Sequence, residues 1–339
     1  MQKKTKTILK FIFLLLLIGG TAWILIDTNS APYRHMEGKI FGTYYHITYQ
    51  SSSDYDHEIL ERLEQVDASL SAFNPQSTVS LINRNETTGA DEMFDTIFDL
   101  ALQVSSATDG AFDITVAPLV NLWGFGFNRA DSVSQAAIDS IMTFVGYKKV
   151  SKSSQRHVKK QDPRTMLDFS AIAKGYGCDQ AAAVLRHHGI SNYLVEIGGE
   201  ICAAGLNPEH KTWSVGIIKP IDDSVQSTQQ IIATLRMNEI NMATSGNYRN
   251  YYVKDGKRYA HTIDPHSGHP VQHSLLSATV LAPTCAMADA YATAFMVMGL
   301  DKAKVLLNTD KRLKAYLIYS DGTKLQSWHS PSLDKFLNK

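Results

Sequence analysis

The sequence predicts an α+β fold, with mainly antiparallel sheets flanked by helices in one large domain. Apolar residues return at helical spacing in Ile59, Leu60, Leu63, Val66 and Leu70, and again in Phe94, Ile97, Phe98, Ala101 and Val104. Strand-like runs follow at 193–197, 213–218 and 231–237, and the turn pairs Asp255-Gly256 and Asp321-Gly322 sit between strand-like runs. Strands joined by such tight turns are antiparallel, which sets aside a doubly wound parallel sheet. With 339 residues, 44% of them hydrophobic and 19% charged, the chain is long enough for a large core and falls in the globular class.

Taken in order, residues 1–7 form a lysine-bearing N-terminus and residues 8–26 an apolar run that reads as a transmembrane anchor or signal peptide. Lysines before the run favour a cytoplasmic N-terminus at the inner membrane, with the rest of the chain on the periplasmic or extracytoplasmic side. Trp23 to Ile26 extend the apolar stretch and blur any cleavage site, and no cysteine follows for lipid attachment. Residues 27–36 are polar and read as a tether, and 37–339 as the folded domain. Tyr45, Ile47 and Tyr49 alternate as a strand does. Ala171 to His188 and Cys285 to Gly299 read as helices, the second stacking Asp289, Thr293 and Val297 on one face.

Thirty-three basic residues balance thirty-three acidic ones. A nucleic-acid binder usually carries a basic excess, so that partner class is set aside. Cys178, Cys202 and Cys285 form no CxxC pair, which argues against a disulfide scaffold and a cysteine zinc site. Chemistry must then come from oxygen and nitrogen groups.

Three segments hold such groups. In Ala243-Thr244-Ser245-Gly246-Asn247-Tyr248, small hydroxyl residues beside a glycine suggest a turn whose N–H groups can meet an anion; ordinary loop chemistry explains the composition equally well. Nearby, the Asp-Pro and Ser-Gly pairs of His261 to Pro270 fix turns beside His261. Asp168 to Asp179 passes through Ser170 into a helix whose N-terminus favours anions, although N-capping alone accounts for Asp168 and Ser170. In Asp289-Ala290-Tyr291-Ala292-Thr293, a carboxylate and a hydroxyl one turn apart can present two oxygens to a hard cation, or simply bond within the helix. Gly198-Gly199 before Glu200 can let a backbone approach a ligand closely.

The order of these segments resembles the ApbE family, the FAD:protein FMN transferases. The resemblance runs through Phe41-Gly42-Thr43, Phe73-Asn74 with Ser77, Asp109 to Asp113, Asp168 to Asp179, Ile197 to Glu200, Ala243 to Gly246, His261 to Gly268 and Asp289 to Thr293. Phe41 departs from the methionine common before Gly-Thr, and Ser267 from the threonine common in the DPxTG turn. The resemblance implies a T-fold-like domain that cuts the FAD pyrophosphate and joins FMN to a threonine, or serine, hydroxyl of a target protein, releasing AMP. It implies Mg²⁺ held by the Ala171 carbonyl, Asp289 and Thr293. Flavin and adenine contacts fall on Phe41, Phe73, Ala111, Phe112, Asp113, Asp168, Lys174 and Ile263, with the Phe112 ring packing on a ring system. Implied acceptors are membrane redox subunits of the Nqr or Rnf type. His261 is the first candidate for taking the acceptor's proton, since imidazole titrates near neutral pH; an orienting role is the alternative. The competing functions are an FAD pyrophosphatase giving FMN and AMP, and a non-catalytic periplasmic flavin-binding protein.

Overall fold

The computed structural model describes residues 10, 12–20, 31–125, 133–220, 230–247, 251–254 and 257–338. Its centre is one eight-stranded sheet in the order β1-β2-β5-β6-β9-β12-β13-β14, with every neighbouring pair antiparallel. These strands are β1 (Tyr33–Ile40), β2 (Thr43–Gln50), β5 (Tyr193–Ile197), β6 (Glu200–Ala204), β9 (Ile240–Gly246), β12 (Leu275–Ala282), β13 (Lys314–Ser320) and β14 (Leu325–His329). Three two-stranded ribbons accompany it: β3 (Val150–Lys152) with β4 (Val158–Lys160), β7 (Trp213–Ile218) with β8 (Ile231–Met237), and β10 (Tyr251–Lys254) with β11 (Lys257–Ala260). The helices are α1 (Asp56–Leu70), α2 (Thr78–Asn83), α3 (Glu92–Ala107), α4 (Ala117–Leu122), α5 (Gln135–Met142), α6 (Ala173–His187) and α7 (Cys285–Thr309).

The expected α+β, antiparallel class is what forms, because period-2 patterning sends alternate residues to opposite faces. In β6, Cys202 enters the core shared with α1 and α6, while Ile201 and Ala203 enter the core under the β7–β8 ribbon. The largest core lies where α3, α6 and α7 meet the sheet, and Phe94, Phe169, Tyr291 and Phe295 fill it without exposure beyond 1%.

Several expectations change. The sheet starts at Tyr33, which pairs with Gln50, inside the stretch read as a tether. As an edge strand β1 buries no residue fully, so it carries little hydrophobic alternation. Ala243 to Gly246 form the end of β9, not an anion-binding turn. Thr244 pairs with Thr279 and Ser245 with Ala278, so the ladder occupies that backbone. The helix expected to stop at Gly299 does break there (φ 76°, ψ 175°) but resumes to Thr309. Asp321-Gly322 joins β13 to β14 as expected. Asp255-Gly256 lies outside the described residues, between strands that pair antiparallel. No helix among the described residues is long and apolar enough to cross a membrane. Of the run 8–26, only residues 10 and 12–20 are described; they are helical, and Ile12 to Ile18 are each more than half exposed.

Candidate active site

Two helix N-termini meet where the expected metal and phosphate residues lie. At the start of α6 the orphan N–H of Gly175 donates to Asp289 Oδ2 of α7 at 3.1 Å. At the start of α7, Cys285 and Ala286 N–H donate to the two oxygens of Asp179 of α6, at 2.8 and 2.9 Å. Each helix thus caps the other. The approach is close enough that a Cβ on Gly175 would lie 2.4 Å from the Cys285 carbonyl oxygen, so only glycine fits.

Lys174, Glu200 and Asp289 converge beside this junction. Lys174 Nζ donates to Glu200 Oε1 at 2.8 Å and stands 3.8 Å from Asp289 Oδ2. Burial works against the ammonium, but the carboxylates of Asp289 and Glu200 outweigh it and hold its pKa above the usual lysine range. Burial raises the Asp289 carboxyl, with Lys174 and the Gly175 N–H pulling the other way. Burial also pushes the Glu200 carboxyl up, against the pull of Lys174. Glu200 owes its position to Gly198 and Gly199, whose φ values of 62° and 101° make a primed hairpin turn between β5 and β6. The two glycines therefore serve the hairpin and not a ligand's approach.

Beneath the charged groups lies a layer of thiols. Cys178 is four residues after Lys174 on α6, Cys285 four before Asp289 on α7, and Cys202 two after Glu200 on β6, so each shares a face with its charged neighbour. All three are buried, with Cys178 Sγ donating to the Glu200 carbonyl, Cys202 Sγ to Asp179 Oδ1 and Cys285 Sγ to the Met242 carbonyl. Separations along the chain had hidden this meeting.

The donor set suits a hard divalent cation. The Asp289 carboxylate takes one hydrogen bond, on Oδ2, and no bond reaches Oδ1 among the described residues. The Ala171 carbonyl, next to the α6 N-cap Ile172, receives no backbone donor there. Thr293, one turn beyond Asp289, places Oγ1 3.5 Å from Ser245 Oγ of β9. A carbonyl, a carboxylate and a hydroxyl are oxygen ligands of the kind Mg²⁺ takes, with water and phosphate completing its shell. Among the described residues there is no group of three or more His, Cys, Asp or Glu side chains suited to a metal; this set relies on one carboxylate.

The other expected residues surround the junction in different ways. Phe41 (φ 51°) and Gly42 (φ 73°) form the β1–β2 turn, and the Phe41 ring lies over α6 where a Cβ on Gly177 would meet it at 2.5 Å. Asp168 Oδ1 accepts Ser170 N–H at 2.8 Å, an Asx turn ahead of the helix and not its N-cap. The Asp168 N–H donates to Ile114 O at 2.7 Å, which brings the 109–114 and 168–174 segments side by side. Ala111 is buried. Phe112 is 3% exposed within the main core, so its ring packs against protein and not against a ring system. Asp113 is also spent internally: Thr115 N–H and Oγ1 donate to Oδ1, and Tyr147 N–H to Oδ2. Phe73 is 73% exposed on the surface.

Ile263 is buried in a satellite core with Leu119 and Trp123. His261 is half-buried, with Phe125 edge-on at 6.4 Å. Thr262 Oγ1 donates to Asn247 Oδ1 at 2.5 Å and fastens this segment to the end of β9. His266 joins two loops, with Nε2 2.6 Å from Asp109 O and Nδ1 3.0 Å from Asp264 Oδ1. A cleft of about 650 Å³ opens beside this clamp, between Ala111, Asp264, His266 and Val297 of α7.

The sequence model of the ApbE family matches residues 41–317. The chain is 35% identical over 323 residues to an FAD:protein FMN transferase of Escherichia coli K12, covering 91% of each chain. It is 37% identical over 299 residues to the Haemophilus influenzae enzyme of the same name, covering 84% of this chain and 85% of that one. The flavin transferase ApbE of Vibrio cholerae has a solved structure that superposes with a TM-score of 0.82 at 33% identity, covering 90% of this chain and 99% of that one.

Proposed function

Because the chain belongs to the ApbE family and is an FAD:protein FMN transferase, we propose that it moves FMN from FAD to a threonine, or serine, hydroxyl of an acceptor protein with the help of Mg²⁺. The supporting observation is the helix junction, where Asp289, Thr293 and the Ala171 carbonyl offer oxygens that the protein's own donors leave largely open. Magnesium bound there would neutralise charge on the pyrophosphate oxygens and on the departing phosphate.

The residues of the chain do the rest. The acceptor hydroxyl oxygen attacks the phosphorus nearer the flavin, the pyrophosphate bond breaks, AMP leaves and the hydroxyl proton is released. His261 takes that proton, an imidazole on a segment fixed by Thr262 and Asn247. Lys174 holds its positive charge beside the anionic substrate, and the α6 N-terminus adds its partial charge. Phe41, Phe73, Ala111 and Asp168 line the flavin and adenine, and the segment Phe112–Asp113 and Ile263 contribute backbone where their side chains are engaged with protein.

Residues 8–26 anchor the enzyme in the inner membrane with its catalytic domain on the periplasmic or extracytoplasmic side. The exposed apolar helical residues Ile12 to Ile18 support this, since such a surface calls for cover. Membrane redox subunits of the Nqr or Rnf type are then the acceptors within reach. The reading is tested by incubating the full chain with FAD, Mg²⁺ and such a subunit, then sequencing tryptic peptides by mass spectrometry. A flavin phosphoester on threonine is expected; folded enzyme with a suitable acceptor and no adduct would sink the reading.

A further inference from the structure

Glu200 is the buried carboxylate whose needs its surroundings do not meet. Its side chain is 3% exposed and Oε1 accepts Lys174 Nζ at 2.8 Å. Oε2 is the one buried side-chain oxygen or nitrogen without a hydrogen-bond partner among the described residues. Leaving a buried acceptor unmet is costly, so a group kept in this state calls for an explanation. The fold holds it there firmly: the Gly198–Gly199 turn starts β6 at Glu200, and Cys178 Sγ donates to the Glu200 carbonyl at 3.2 Å.

What Glu200 does is visible in where the ammonium sits. Lys174 Nζ is 2.8 Å from Glu200 and 3.8 Å from Asp289, so a small swing of a flexible four-carbon stem would exchange partners. A close Lys174–Asp289 pair would occupy the carboxylate that a cation needs. We propose that Glu200 is a positioning residue that holds Lys174 off Asp289 and so keeps the Asp289 carboxylate open to a divalent metal ion. The proposal rests on Asp289 being the metal ligand, as read above.

Mn²⁺ binding to the full chain without flavin, followed by the loss of the free-ion EPR signal, tests it without recourse to activity. Glu200→Leu removes the acceptor, and Glu200→Asp keeps the charge but shortens the reach to Lys174. Both are expected to weaken Mn²⁺ binding by about tenfold, equivalent to about 1.4 kcal/mol. In a Lys174→Met background, where no ammonium can be redirected, Glu200→Leu should change the affinity less than about twofold. If Glu200→Leu weakens binding equally in both backgrounds, or Glu200→Asp leaves it unchanged, Glu200 acts only through its charge and the proposal is overturned. Asp289→Ala separates the two levels. Mn²⁺ binding that survives it removes the metal assignment, whereas lost binding together with a flat response to the Glu200 variants removes only the positioning role. Circular dichroism of each variant confirms that it is folded, and Glu200→Asp alone decides the matter if the leucine variant is not.

Discussion

Replacing Gly175 by alanine sets two effects against each other. In a helix interior alanine is better than glycine by about 1 kcal/mol, so propensity alone forecasts a more stable protein. The junction forecasts the reverse, because the new Cβ would stand 2.4 Å from Cys285 O, 2.6 Å from Cys285 C and 2.8 Å from Ala286 N. These are backbone atoms at the N-terminus of α7 and cannot rotate away, so the helices must part. Overpacking of this kind costs about 1–3 kcal/mol. Parting also strains the Gly175–Asp289 bond and the two bonds to Asp179, and hydrogen bonds to charged groups contribute about 1.5–3 kcal/mol each. Partial loss of these, less the gain in propensity, leaves a net destabilisation of about 3 kcal/mol. With an unfolding entropy of roughly 2.1 cal/mol/K per residue over ~300 residues, Tm should fall by about 5 °C. Turnover should fall further, since Asp289 moves with α7. Thermal unfolding by circular dichroism and FMN transfer on the same sample are the assays. An unchanged or raised Tm with unchanged turnover would refute the close helix junction as the organiser of the site. Gly177→Ala is the control for stability, because its Cβ would meet the Phe41 ring at 2.5 Å and Ile197 Cδ1 at 3.3 Å, side-chain atoms that can yield where backbone cannot.

Other consequences are open to measurement. Asp179→Ala removes two capping hydrogen bonds from α7, leaving the one from Met287 N–H to the N-cap Thr284, and should destabilise by about 2–4 kcal/mol, read as a lower urea midpoint; a midpoint within error of the parent contradicts the reciprocal capping. Phe112→Ala should cost about 3–5 kcal/mol as a core truncation, whereas Phe73→Ala, at a 73% exposed ring, should leave Tm unchanged and raise only the KM for FAD. His266 carries a pH dependence. Burial lowers its pKa, but the Asp109 carbonyl and Asp264 outweigh this and raise it above the ordinary 6.5. The stabilisation is therefore complete below about pH 6.5 and is lost as pH rises through the raised value. The stability difference between the parent and His266→Ala should shrink across that window; a difference that grows with pH would contradict the clamp.

Much of this was legible along the chain, and the rest was hidden for identifiable reasons. α1 and α3 announce themselves because Ile59, Leu63, Val66 and Leu70, then Phe94, Ile97, Phe98, Ala101 and Val104, are the residues each helix buries. The first half of β1, Tyr33 to Met36, reads as tether because an edge strand without fully buried residues carries no such rhythm. Thr244-Ser245-Gly246 has the composition of a turn, yet α7 approaches β9 there and Thr293 meets Ser245, a contact that short side chains permit. In the site, the resemblance groups Ala171, Asp289 and Thr293, and the fold adds Lys174 beside Asp289. Asp179, Gly175 and Glu200 gained their roles only in three dimensions, since Asp179 bonds to residues 106 and 107 positions away and Gly175 to one 114 away. Phe112 looked like a stacking ring because its neighbours form a motif; its burial in the main core decided otherwise.

Transfer of FMN to a protein hydroxyl, as proposed for this junction, differs in its products from merely holding or hydrolysing the dinucleotide. The most direct measurement follows one reaction of enzyme, FAD, Mg²⁺ and acceptor subunit by quantifying AMP, free FMN and covalently bound flavin together. Transfer should give one AMP for each flavin attached, with little free FMN, and loss of both products in Asp289→Ala. AMP accompanied by an equal amount of free FMN and no adduct would contradict it in favour of a pyrophosphatase, and bound FAD that is never cleaved would leave only a flavin-binding protein.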